Sequence, residues 1–170
     1  CIPSTKLSSL DPKVEYGETQ LQFVTGSDGS KVPLFVSKEE TNGIFYLDVL
    51  FPFDNLDTEY FKYMTLLDFV LTNMGWNGKK WDECIAQAAC VAGDVWGSVY
   101  YGGISDAPEC LAFMDKYKEY NFCGRQWIGL GCKALTSMAE ETLKLLTEIT
   151  TTMSFDDKKR LNSLIQDLKA

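Results

Sequence analysis

The 170-residue sequence predicts an α+β fold: a largely antiparallel sheet with helices packed on one face. Three observations carry this. Alternating apolar runs dominate the first third of the chain, and helical spacings dominate the last third. Between them strands and helices interleave irregularly, not in the steady β–α repeat that builds a parallel sheet. A single domain is expected over residues 13–170, because this length can bury a sizeable core.

Residues 1–12, with two prolines and three serines, read as a linker arm. TQLQFVT and KVPLFVS flank GSDGS and predict a β-hairpin, with Pro33 confining its strand to an edge. The run Ile44–Phe53 is a strand. One side of its pleat carries Phe45, Leu47, Val49, Phe51 and Phe53; the other carries Ile44, Tyr46, Asp48, Leu50 and Pro52. Both sides are rich enough in apolar groups to predict cover on both faces. A helix follows, with Asp57 as N-cap and Gly75 just past its end. Its polar positions Lys62, Thr65, Asp68 and Thr72 make one narrow stripe. A helix this apolar needs cover on most sides, which points to a segment of something larger.

NGKK is a turn, and WDECIAQAACVA has helical spacing in Trp81, Cys84, Ile85 and Ala88. Val95–Ile104 reads as a strand, Pro108–Tyr120 as a short helix, and Gln126–Ala134 as a strand. In that last strand Trp127, Gly129 and Gly131 share one face, so a neighbour should approach closely there. Two closing helices begin at Ser137-Met-Ala-Glu140, a capping-box pattern, and Ser154-Phe-Asp-Asp157, its weaker acidic variant.

Composition narrows the function classes. Net charge is −8, of which residues 1–60 contribute −6 from ten acids and four bases. The longest basic run is Lys158-Lys159-Arg160, a poor basis for binding nucleic acid or an anionic membrane. Asp48, Asp54 and Asp57 interrupt the longest apolar candidate for a membrane span. The six cysteines (Cys1, Cys84, Cys90, Cys110, Cys123, Cys132) contain no Cys-x-x-Cys pair and there is no histidine. That argues against a zinc site within the chain and for reduced, largely buried thiols in a reducing compartment.

No motif carries catalysis. Gly129-Leu-Gly131-Cys-Lys-Ala134 fits G-x-G-x-x-A, but it falls inside a predicted strand where a nucleotide motif needs a strand-to-helix turn. Cys132 and Lys133 point to opposite faces of that strand, and Ser105 lacks nucleophile-elbow spacing. The acid pairs Glu140-Glu141 and Asp156-Asp157 sit at helix starts, where the dipole favours them. Phe45, Tyr46, Phe51, Phe61 and Trp127 read as core. The expected site residues are therefore none: no catalytic, cofactor-binding or metal-ligating group.

A family resemblance adds to this reading. NGIFYLDVLFPFDNLDTEYFKYMTLLDFVLTNMG (residues 42–75) resembles the segment that opens the second, non-catalytic half of pitrilysin-type zinc peptidases, in the presequence-protease branch. In family order, CIPSTKLSSLDP resembles the linker before that half, Trp81–Gly93 its second helix and YGGIS (101–105) its Gly-Gly strand. GRQWIGLGCKAL (124–135) with Glu141, Leu145, Leu146 and Ile149 resembles the next strand and helix, and FDDKKRLNSLI (155–165) the next helix start. VAGDVWG (91–97) and residues 105–122 depart from the pattern.

The resemblance implies a partial pitrilysin-type half-domain: a chamber-forming, non-catalytic part of a metallopeptidase that degrades unstructured peptides. Zinc would then belong to a His-x-x-Glu-His helix in a different domain of the parent, and this chain would hold no cofactor. Expected partners are the remaining domains of the parent and its peptide substrates, with no nucleic acid and no membrane. By the same likeness the chain stops short of the last helix and strands, so its sheet should end in an unprotected edge that allows a homodimer. The expected compartment is the cytoplasm or an organelle matrix. The alternative is a stand-alone peptide-binding or adaptor module derived from such a half.

Overall fold

The computed structural model describes residues 17–103, 106–120, 122 and 125–169. The linker reading of residues 1–12 lies outside the described residues. The described residues form two compact units, one up to residue 40 and one from residue 41 onward.

In the first unit, β1 (Thr19–Thr25) and β2 (Lys31–Ser37) form the expected antiparallel hairpin, with Phe23 opposite Pro33. In a two-stranded ribbon each strand keeps one free edge, which is why Pro33 is tolerated. The turn closes through Gly26 N–H to Ser30 O (2.8 Å) and Gly29 N–H to Gly26 O (3.0 Å), with Gly29 at φ +82°. Hydrogen bonds from the Ser30 side chain and backbone hold the Asp28 carboxyl below its ordinary range.

The second unit is built on a three-stranded antiparallel sheet. Its strands are β3 (Ile44–Pro52), β5 (Asp94–Tyr101) and β6 (Gln126–Leu135), in the order β3–β6–β5. The other elements are α1 (Met64–Val70), β4 (Gly75–Trp76), α2 (Trp81–Val91), α3 (Pro108–Lys116), α4 (Ala139–Thr152), β7 (Met153–Ser154) and α5 (Lys158–Lys169). The fold is α+β with antiparallel sheets, as the sequence predicts.

One face of the sheet is covered. Leu130 and Cys132 of β6 pack with Leu145, Leu146 and Ile149 of α4, Cys84 of α2 and Trp76, and Phe45, Leu47, Val49 and Val95 close the cluster. α4 presents these residues because Thr142, Leu145, Leu146 and Ile149 recur at helical spacing on one side. A second cluster joins Val70, Met74 and Leu164, bringing α1 against α5. Arg160 fixes that junction: its Nε donates to Asn73 O (3.1 Å) and its guanidinium lies 3.9 Å from the Trp81 ring centre.

Four expectations are corrected. The opposite face of β3 is not covered, since Tyr46 is 59% and Leu50 42% exposed. Periodicity shows that both faces are apolar, but only tertiary packing decides which finds a partner.

The helix expected from Asp57 to Gly75 is broken. Thr58–Tyr63 is a 3₁₀ turn, α1 ends at Val70, and Gly75–Trp76 is a strand paired with Met153–Ser154. Trp76 supplies the reason: it is 1% exposed, its backbone N–H donates to Cys84 Sγ (3.3 Å), and that anchoring pulls the chain out of helix. Within α1 only Met64 and Val70 are fully buried. On its polar stripe Lys62 and Thr65 are exposed, but Asp68 and Thr72 are half-buried.

Neither capping box forms as written. Thr136–Met138 is a 3₁₀ turn before α4, whose N-cap is Met138 with no side-chain bond. At α5 the cap is Asp157, whose Oδ1 accepts the Arg160 N–H (2.9 Å), while Ser154 Oγ bonds Asp156 instead.

Finally, Cys90 and Cys110 are exposed, not buried. The NGKK turn and the helix from Pro108 stand as expected, with Lys79 N–H donating to Trp76 O (3.0 Å) across Asn77 and Gly78, both at positive φ. No helix among the described residues is long and apolar enough to cross a membrane.

Candidate functional site

The open face of the β3–β6–β5 sheet is the most distinctive surface of the second unit. Alternation along three paired strands sorts its side chains into cross-strand rows. Tyr46, Lys133 and Asp94 make one row, and Asp48, Gly131 and Trp96 the next. Leu50, Gly129 and Ser98 follow, then Pro52, Trp127 and Tyr100.

The two glycines on the central strand leave no side chain there, and neighbours lean into the space. A Cβ on Gly131 would collide with the Trp96 indole and the Asp48 carboxylate; one on Gly129 would meet Leu50 Cδ2 at 2.8 Å and Tyr100 Cε2 at 2.9 Å. The close approach predicted at these glycines is thus made by side chains of the adjacent strands. The result is a shallow platform of rings, with Tyr100 itself 40% exposed.

Charge on this face is nearly balanced. Lys133 Nζ lies 3.3 Å from Asp94. At the far end Arg125 Nε lies 3.1 Å from Asp54, and its guanidinium stands 5.7 Å from the Trp127 ring centre. Asp48 enters none of the ion pairs among the described residues.

A second feature is an apolar groove of about 490 Å³ between the segment 56–70 and α5, walled by Leu56, Tyr60, Tyr63, Leu67, Phe155 and Leu161. Leu56, Tyr60 and Tyr63 are exposed on it.

Among the described residues no group of three or more His, Cys, Asp or Glu is placed to hold a metal ion. Gly129 and Gly131 lie inside β6, paired on both sides, and offer no turn to cradle a phosphate. Cys132 faces the core while Lys133 faces the platform, so they do not meet. Burial pushes the Cys132 thiol up, against a smaller opposing effect from a hydrogen bond with the Leu47 backbone, and the Asp48 charge adds to the rise. Ser105 lies outside the described residues.

Sequence reasoning placed Tyr46 and Phe51 in the core; the structure leaves both exposed, Tyr46 on the platform and Phe51 near the end of β3 on the opposite pleat face. The signal that could have found the platform was present. Asp48 in the middle of one pleat face, and Gly129 and Gly131 sharing a face of another strand, are both unusual inside a packed core.

A family model for the region associated with M16 peptidases of subfamily C matches residues 1–170. No curated protein matches the chain.

Proposed function

The chain belongs to the family of regions associated with subfamily C of the M16 peptidases, and from that premise we propose that it forms part of the wall of a closed peptidase chamber. In this reading it is a non-catalytic segment of a zinc-dependent peptidase of the presequence-protease branch, which degrades unstructured peptides. The observation that supports it most is the two-sidedness of the sheet. One face carries the core with α2 and α4, while the other presents Tyr46, Leu50 and Tyr100 exposed, with Trp96 half-buried among them.

The residues present do not fit a zinc ion. The sequence has no histidine, and no suitable cluster exists among the described residues. The metal of the parent would be held by another domain, and this chain's part would be to shape the enclosed space. Its partners would be the remaining domains of the parent, docked on the apolar groove, and peptide substrates on the platform. Outside the parent, the edges of β3 and β5, unpaired among the described residues, favour association of the chain with itself. The free thiols Cys84, Cys90, Cys110 and Cys132 suit a reducing cytoplasm or organelle matrix.

The test is excision of residues 41–170 from the full-length gene product. The chamber reading expects a product that carries His-x-x-Glu-His, loses peptide cleavage on excision and keeps zinc. Unimpaired cleavage after excision overturns it. A natural stop and start around this chain replaces it with the stand-alone peptide-binding module.

A further inference from the structure

At the centre of the platform a carboxylate and an indole stand side by side. Asp48 on β3 and Trp96 on β5 flank Gly131 in one row, and the Asp48 Oδ1, Trp96 Nε1 and Trp96 Cε2 atoms are those nearest the place of a Gly131 side chain. Because position 131 is glycine, no side chain of the central strand stands between the two groups. Asp48 takes no ion-pair partner among the described residues, and Lys133, one row away, is held by Asp94.

The same face supplies the precedent for what completes such a pair. Arg125 sits between the Asp54 carboxylate and the Trp127 indole, so this fold already uses carboxylate plus indole to hold a guanidinium. We propose that Asp48 and Trp96 form a binding site for an arginine side chain of a peptide lying extended along the strands of the sheet. The guanidinium faces the Asp48 carboxylate and stacks on the Trp96 ring. Arginine is favoured over lysine because its planar, weakly hydrated head can do both at once. An extended peptide suits the rows, because alternate side chains of a strand recur at the spacing of alternate residues on β3, β6 and β5. The proposal deepens the chamber-wall reading, and takes from it the assumption that peptides reach this face.

The test is an NMR titration of the purified chain with the peptide acetyl-Thr-Val-Arg-Val-Thr-amide, following tryptophan indole N–H signals assigned with Trp96→Phe. The control peptide carries citrulline, the neutral isostere, in place of arginine. The expected result is a shift of the Trp96 signal and at least about tenfold tighter binding of the arginine peptide, as a charge-assisted contact on an aromatic face should give. Asp48→Asn should erase that preference; Asp48 is exposed, so the variant does not threaten the fold. Raising the salt should narrow the preference. Equal affinity for the two peptides, or an unchanged preference in Asp48→Asn, overturns the site. That outcome leaves the chamber reading standing, because only the excision experiment decides it.

Discussion

The main-chain carbonyl oxygen of Asp68 lies 2.5 Å from the point a Cβ would occupy on Gly97, and the Asp68 Oδ1 lies 2.8 Å from it. α1 is thus seated directly on β5, and the glycine is what lets it come so close. Gly97→Ala forces backbone to move and should cost about 1–3 kcal/mol, the usual range for overpacking. Gly131→Ala is the contrast. Its Cβ would meet side chains, Trp96 and Asp48, on an open face where they can swing away. Chemical denaturation of both variants checks this; equal losses would mean that α1 does not rest on Gly97.

Burial raises the Asp68 carboxyl above its ordinary value. The native state therefore holds a proton that the unfolded chain releases at lower pH. Stability from this group is intact below the unfolded pKa and is lost as pH rises through the higher folded pKa. Asp68→Asn should remove that loss, so the variant gains melting temperature at pH 7 relative to the parent and gains little at pH 3. A gain that is equal at both values would mean that ionisation of Asp68 carries no cost.

Thiol reactivity should split in two. Cys84 and Cys132 are buried, and Cys84 exchanges hydrogen bonds with the Trp76 backbone, its Sγ accepting at 3.3 Å and donating at 3.5 Å. Cys90 and Cys110 are exposed. Native iodoacetamide labelling read by mass spectrometry should modify Cys90 and Cys110 first, with Cys132 slowest because its thiolate is disfavoured. Labelling of Cys132 at the Cys90 rate would contradict the packing of β6 on α4.

Core truncations should rank by depth. Leu145 is 2% exposed at the centre of the sheet–α4 cluster, and Leu145→Ala should cost about 2–5 kcal/mol. Leu67 is half-buried on the wall of the apolar groove, and its truncation should cost less. Urea titrations decide the order, and a larger loss at Leu67 would show that the groove is closed in solution by something that packs on it.

As purified, the chain should carry no stoichiometric zinc and cleave no unstructured peptide, because it has no histidine to supply a ligand. Elemental analysis and a fluorogenic peptide assay check this; one tightly held zinc per chain would overturn the non-catalytic assignment.

The sequence by itself determined the local elements. The period-2 runs of Thr19–Thr25 and Ile44–Pro52, the turn at Asn77-Gly78 and the apolar stripe of α4 needed nothing distant, because pleat, positive-φ turn chemistry and helical spacing are written within a few residues. The absence of histidine ruled out imidazole zinc ligands within the chain just as locally.

Tertiary structure decided what each apolar surface touches. Both faces of β3 were apolar, and only the docking of α2 and α4 made one of them core and left Tyr46 and Leu50 exposed on the other. Helical propensity ran on towards Gly75, yet Trp76 entered the core beside Cys84 and took the chain into strand pairing with Met153. The Asp48–Gly131–Trp96 row joins residues from three strands far apart in sequence, so it exists only once β6 has paired with both neighbours. Burial of a large ring and pairing between distant strands outweigh the fraction of a kcal/mol per residue that local propensity contributes.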